Sequence, residues 1–401
     1  MCAKARAVAR AATGAAVAAT DSNLGKFRLT SFALGALLLC SAPLLFAAVL
    51  PDERVDVLYH RYDGGGLTVD GPSVLVRKNV ADTFSVSANY YVDNVSSASI
   101  DVMTQASPYT DKRTEQSVAL DYLFDRTLIT AGFINSSESD YRSKTFHFDI
   151  SQDFFGDLTT LSMGYTRGSD TVQDNSDNSF EETATHQEYR VSLTQILTRQ
   201  LIVSLSEEIM IDDGYLGNPY RSFRYLSGTA YQWQQEKFPE ARTSYTTTLN
   251  GRYHLGVTRA AAYGSYRHYS DGWDIQSHTF ELGYEHAWGS SWLFDIHARY
   301  YKQNDADFYA DLFDRDNAYK YMTRDKQLSA FTSATIGFGI TYELPFRNNW
   351  VDKSSINLYW DRIQFDFDNY RDANVKGVTP GSEPLYSYDA DVIRFFLSIW
   401  Y

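Results

Sequence analysis

Two pairs of residues in this sequence have the type and spacing that chemistry needs. His147 and Asp149 are two positions apart, and so are Asp295 and His297. In an extended chain a spacing of two puts both side chains on one face, where a carboxylate beside an imidazole shifts its pKa. His60 stands in a similar alternating stretch, and Arg299 follows His297 by two, so His60, His147 and His297 are expected to share one polar interior with Asp149, Asp295 and Arg299. Such pairs suit proton handling, metal contact or a structural brace. Neither pair is accompanied by a nucleophile motif, so no enzymatic activity is expected and a bracing network is the preferred reading. A hydrolase built on a barrel rim is the weaker alternative, and a histidine-lined route for copper or iron leaves the metal unknown.

Other motifs say less. The run "DGGGLTVDGPS" at 63–73 has no Lys-Ser/Thr after it and opens no helix, so it is a tight loop in the first hairpin rather than a phosphate cradle. The acidic stretches "QDNSDNSFEE" (173–182) and "DADFYADLFDRDN" (305–317) lack the alternating oxygen pattern of a calcium loop and read as surface acidity. The most distinctive loop is 93–112, "DNVSSASIDVMTQASPYTDK". It carries Asp93, Asp101 and Asp111 among hydroxyls, with apolar Ile100, Val102 and Met103 that need burial. It is expected to pack inward and narrow a lumen with a local negative filter.

These side chains need strands to hold them, and the sequence supplies strands throughout. In 329–344 the even positions, among them Ile336, Phe338 and Ile340, are apolar, whereas Thr335, Gly337, Gly339 and Thr341 alternate with them. The segment 290–301 places Trp292, Phe294, Ile296 and Tyr300 opposite Asp295, His297 and Arg299, and 82–93 sets Phe84, Val86 and Tyr90 against Ser85, Ser87 and Asn89. Sixteen such segments can be marked out, from 53–62 to 389–401, within a range of 14–18 because 218–232 is ambiguous. Very short breaks such as "FDR" and "LTR" alternate with longer polar ones such as 169–186, 211–241 and 304–327. Short turns on one side and long loops on the other, with an even count, predict an all-β transmembrane antiparallel up-and-down barrel.

The two ends of the sequence fit that fold. Lys26 and Arg28 precede the apolar run "LTSFALGALLLCSAPLLFAAV" and a small-residue exit at Ala47–Ala48, the plan of a secretory signal. Residues 1–48 are therefore expected to be leader and signal peptide and 49–401 the barrel. At the other end Phe395, Leu397 and Ile399 alternate up to Tyr401, an expected lipid-facing strand and assembly signal for the barrel assembly machinery. Beyond residue 48 there is no cysteine, which excludes thiol chemistry and Cys-bound zinc, and no cofactor is expected. Setting aside five basic residues and one acidic residue of the leader leaves 31 Lys+Arg against 49 Asp+Glu, too acidic for a nucleic-acid partner. Aromatics make up 15% of the chain, an abundance suited to a strand wall that meets lipid at every second residue.

The text "DVLYHRYDGGGLTVDGPSVLVRK" (56–78), followed by "SVSANYYVDNVSSASIDVMTQASPYTDKRTE" (85–115) and by "RDKQLS" at 324–329, resembles an uncharacterised family of Gram-negative exported proteins known only as a domain of unknown function. The resemblance spans essentially the whole chain beyond the leader. It implies an outer-membrane barrel in contact with lipid and lipopolysaccharide. It also implies genomic company with a thioredoxin-like periplasmic protein, a small lipoprotein and in some cases a flavin transferase. It brings no catalytic residues. The leading functional expectation is a porin-like channel or transporter for a small solute or metal; the alternative is a structural or assembly scaffold for a periplasmic or lipoprotein partner.

Overall fold

The computed structural model describes residues 49–97, 109–256 and 258–401. The wall begins with β1 (Arg54–Gly64), β2 (Leu67–Val80), β3 (Phe84–Ser97), β4 (Tyr109–Phe124) and β5 (Thr127–Ser137). It continues through β6 (Tyr141–Phe154), β7 (Thr159–Asp174), β8 (Asp177–Ile196) and β9 (Leu201–Gly214). A separate hairpin of β10 (Ser222–Ser227) and β11 (Ala230–Gln235) follows. The wall resumes with β12 (Ala241–Leu255), β13 (Ala260–Asp271), β14 (Gln276–Trp288) and β15 (Trp292–Gln303), and ends with β16 (Phe331–Glu343), β17 (Lys353–Arg371) and β18 (Leu385–Trp400).

Every wall strand pairs antiparallel with its neighbours, and β1 pairs with β18 from Arg54↔Trp400 to Gly64↔Ala390, so sixteen strands close on themselves. Closure is what lipid demands, because an open edge would leave backbone N–H and C=O groups unpaired in hydrocarbon. The ambiguous 218–232 region is resolved: its two short strands pair with each other, touch the later loop through a Tyr225↔Phe313 bridge, and add nothing to the wall.

The period-two pattern sorts the side chains as the sequence predicts. Leu282 is 71% exposed and Ile336 64%, and Val86, Val118, Phe280 and Phe395 also present their surfaces outward, forming the lipid band. Their neighbours Ser85, Thr335, Asp295 and Ser398 are buried inside. Tight turns join the strands on the side of the two ends. On the opposite side Gly65 and Gly66, both at positive φ (59° and 75°), close the first hairpin. Only glycine takes that conformation without steric cost, which accounts for the "GGG" run.

Two expectations about loops need correction. Residues 169–186, read as a long loop, are mostly strand: β7 and β8 pair in register up to Gln173↔Glu181, so this hairpin stands tall above the rest. Its outward residues are polar because they meet water there, while Asp170, Val172 and Ala184 are buried on the inner face, so polarity alone does not distinguish a loop from a strand that has left the membrane. Likewise Asp93 and Asp111 are not loop residues. Asp93 lies on β3 and Asp111 on β4, where it pairs with Val95. Asp101 and the rest of the expected constriction, 98–108, lie outside the described residues, as does the leader 1–48.

The last strand allows a direct test of facing. Leu397 lies on the same outward face as Phe395, whereas Ser398 is buried inside. Leu397→Arg should lower folded yield, since a lipid-facing arginine costs about 2–4 kcal/mol at mid-depth, and Ser398→Ala should fold like the parent. Heat-modifiable mobility on gels reads both; equal folding of the two variants would mean the faces are assigned wrongly.

Candidate functional site: the lumenal charge belt and the loop cap

Inside the wall, charged side chains from non-adjacent stretches of sequence join into a belt. Asp361 on β17, fully buried, accepts from Arg394 Nη2 at 2.7 Å and faces His297 Nε2 at 3.1 Å. His297 Nδ1 reaches Asp295 at 2.8 Å, and Tyr263 OH donates to the other oxygen of Asp295 at 3.0 Å. Across the seam Arg394 lies opposite His60, whose Nε2 is 2.8 Å from Asp93 and whose ring stacks on Tyr91 with centroids 4.9 Å apart. Asp93 also receives Arg113 at 3.5 Å. Arg299 is buried on the same inner face as His297, with Glu281 as its cross-strand neighbour.

Glycines make the belt possible. A Cβ on Gly337 would lie 2.2 Å from the His297 ring, one on Gly283 2.0 Å from Tyr263, and one on Gly339 2.4 Å from Tyr359. Each large lumenal ring folds flat over the glycine of the neighbouring strand, a cross-strand arrangement that protects the bare backbone and frees lumen volume. The same device seats His147 over Gly132, 2.2 Å from the position of a Cβ.

The sequence-derived pairs fare differently. Asp295 and His297 do meet. His147 and Asp149 share a face but Asp149 bonds instead to Arg190 on β8, 2.9 Å away, a full positive charge that reaches it across Gly164 of the intervening β7. Asp111 approaches Glu138 and Asp140, with carboxylate oxygens within 4.8 Å of one another. Tyr401 donates from its OH to the Arg77 carbonyl at 2.9 Å and carries Lys78 over its ring, while Phe395 faces outward in the lipid band.

Other residues escaped sequence reasoning. His186 is held between Asp170 and Asp212, 2.6 Å from each. Asp361 and Arg394 carried a usable signal, since both fall on inward positions of adjacent strands. The contacts of His60 and His297 are carboxylates and, for His60, a phenol; among the described residues no serine or threonine hydroxyl bonds to either.

Above the belt, the long connections assemble into a cap. Segment 304–330 folds inward, and its Phe308, Tyr309 and Leu328 share one apolar cluster with Tyr62, Ile363, Phe365 and Val392 of the lumenal wall. A second cluster joins Phe223 of β10 to Phe313 and Met322. Between them lies a buried ion network. Arg224, fully buried, donates to Glu383 at 2.6 Å and also to the Asp311 carboxylate, which receives Arg324 Nε at 3.0 Å. Arg324 also donates to Tyr370 OH at 3.0 Å. The stretch read as surface acidity is thus the inward-folded element: its Asp311 is consumed by two arginines that arrive from 87 and 13 positions away. Separation of that length is why the pattern was invisible in sequence.

Comparison with known proteins agrees with this architecture. The family model described as "Protein of unknown function (DUF3570)" matches residues 31–189 and 173–383. The chain belongs to that family. No curated protein matches it. Among solved structures, a bacterial polysaccharide outer membrane secretin shares 8% identity at a TM-score of 0.50, over 88% of this chain and 100% of that one. The siderophore receptor PirA from Acinetobacter baumannii gives 10% identity and a TM-score of 0.44 over 87% and 60% of the two chains. OmpT of Vibrio cholerae gives 8% and 0.40 over 88% and 100%. Only the first of these three reaches 0.50, and at that identity it bears on fold alone. The fold is that of a Gram-negative outer-membrane barrel, with short turns periplasmic and the cap outside.

Two cap carboxyls titrate near neutrality. Burial, reinforced by Asp325, pushes Glu236 up to about 7 from 4.5, and burial pushes Asp140 up to about 6 from 3.8. A carboxyl raised in the packed state binds a proton that the opened state releases, so packing gains stability as pH falls through this window and loses it as pH rises towards 7. Glu383 does not oppose this between pH 5 and 7, because burial is outweighed by Arg224, which holds it below its ordinary 4.5. Hydrogen exchange at the Lys237 and Met322 amides, which bond across the cap, should therefore slow several-fold between pH 8 and pH 5.5 after correction for intrinsic rates. Glu236→Gln should flatten the response; protection that rises with pH would contradict the assignment.

Proposed function

We propose that the barrel is a gated conduit for a small polar solute across the outer membrane. The observation that carries this reading is the inward fold of 304–330 against the lumenal wall, directly above a belt of paired charges. A barrel that only displayed its rim would gain nothing from burying Phe308 and Leu328 inside its own mouth. The belt offers both signs: Arg394, Arg113 and Arg299 against Asp93, Asp295 and Asp361, with His60 and His297 between them. Such a lining favours polar or zwitterionic cargo over apolar molecules and weakly discriminates by charge sign. Asp93, His60, Asp295, His297 and Arg299 act in this reading as the paired, largely buried ring that borders the path, with the acidic Asp111 group near the outer end.

Loosening the cap should open the path. In planar bilayers the parent should show small conductance, and Arg224→Ala combined with Glu383→Ala should raise it several-fold while the barrel keeps its heat-modifiable mobility. If both proteins were silent, the conduit reading would fall and the scaffold for a small lipoprotein or thioredoxin-like partner would stand in its place.

A further inference from the structure

The outer surface carries a built pocket that neither the lumen nor the cap explains. It lies at the seam, where β1, β17 and β18 meet the Gly64–Gly66 turn, and is an open depression of about 660 Å³. Its polar lining is Arg61, Arg362, Asp63, Asp389 and Asp391, and its floor is Trp360 with Ile393. All the wall residues among these lie on the lipid side. Arg61 is flanked along β1 by outward Tyr59, and Arg362 along β17 by outward Trp360.

Height in the membrane gives the pocket its meaning. β1 has 11 residues, as does β5, against 16 and 20 in β7 and β8, so the outer rim is low at this hairpin. A guanidinium facing hydrocarbon is costly at mid-depth and nearly free of cost at the interface. Two of them lining one pocket, on strands either side of β18, mean that head groups, not acyl chains, lie at this level. The arginines are held only by half-exposed ion pairs, Arg61 to Asp63 at 2.7 Å and Arg362 to Asp389 and Asp391 at 2.7 and 2.6 Å. Pairs of this exposure contribute little and exchange partners readily.

We propose that this pocket binds the phosphorylated glycolipid of the outer leaflet. The two guanidinium forks match phosphate oxygens bidentately. The indole of Trp360, whose Nε1 bonds Asp391 at 3.1 Å, offers a flat face to a sugar ring. The aspartates released from the arginines hold a divalent cation that bridges to a second phosphate. Below the polar lining an apolar strip of Val57, Phe395 and Leu358 continues down the wall for the acyl chains. Head and tail recognition thus line up along one seam. The proposal is independent of whether the lumen conducts.

Native mass spectrometry of the purified full barrel with added lipid A tests it. The parent should hold one lipid A, and Arg61→Gln with Arg362→Gln should weaken that adduct at least tenfold, whereas Arg199→Gln at a periplasmic turn should leave it intact. Arg61→Gln alone serves if the double variant fails to assemble, and should show a smaller loss. Dephosphorylated lipid A and phosphatidylglycerol should each bind less than lipid A. Equal binding of dephosphorylated lipid A, equal binding of phosphatidylglycerol, or equal loss in the Arg199 variant would each overturn the assignment.

Discussion

Backbone hydrogen bonding in a medium without water is the constraint on which everything else in this protein rests. An unpaired N–H or C=O in hydrocarbon costs several kcal/mol, so the first and last strands have to find each other. They do so over the full length of β1, and the fit is close: a Cβ on Gly64 would lie 2.3 Å from that of Ala390. Once the seam is closed, alternation fixes the face of every wall residue. Outward positions then are mostly apolar, and charge gathers in the lumen, at the rim and near the strand ends; Glu207, outward on β9 and bonded by Thr247 at 2.9 Å, is an exception.

Confinement creates a second problem, which the belt solves. Carboxylates and cations packed into a narrow interior are costly unless paired, and a lumen filled by large rings would have no room. Asp361 illustrates the solution, fully buried yet contacted by both Arg394 and His297, while glycines at 283, 337 and 339 give the rings somewhere to lie. The cap applies the same rule above the membrane. Arg224 is completely buried, and its burial is tolerable because Glu383 and Asp311 both meet it. Removing one partner would leave the other charge stranded, at a cost of about 3–5 kcal/mol, so the loops pack together or not at all.

The sequence made the wall legible because a period of two survives in short windows, as in 329–344, and because turn lengths differ between the two ends of the barrel. It revealed the Asp295–His297 contact because that pair lies within one strand. It misplaced Asp149, whose partner Arg190 comes from two strands away along the chain, and misread 305–317, whose aspartate meets an arginine 87 residues distant. Neither contact leaves a local mark. The strands of the tall β7–β8 hairpin were hidden for the opposite reason: outside lipid, alternation has no apolar face to display.

The central claim is the closed seam with its stated register, and a disulfide tests it most directly. Beyond residue 48 the chain has no cysteine to interfere. Val57 and Leu397 lie directly opposite across β1 and β18. Val57→Cys with Leu397→Cys, oxidised in the membrane, should link the first and last strands within one chain. Val57→Cys with Phe395→Cys, two residues out of register, should not, because diagonal positions about 7–8 Å apart exceed what a disulfide spans. Linkage in the shifted pair alone, or only between chains, would mean that the seam is open or differently registered, and the assignment of inside and outside would fall with it.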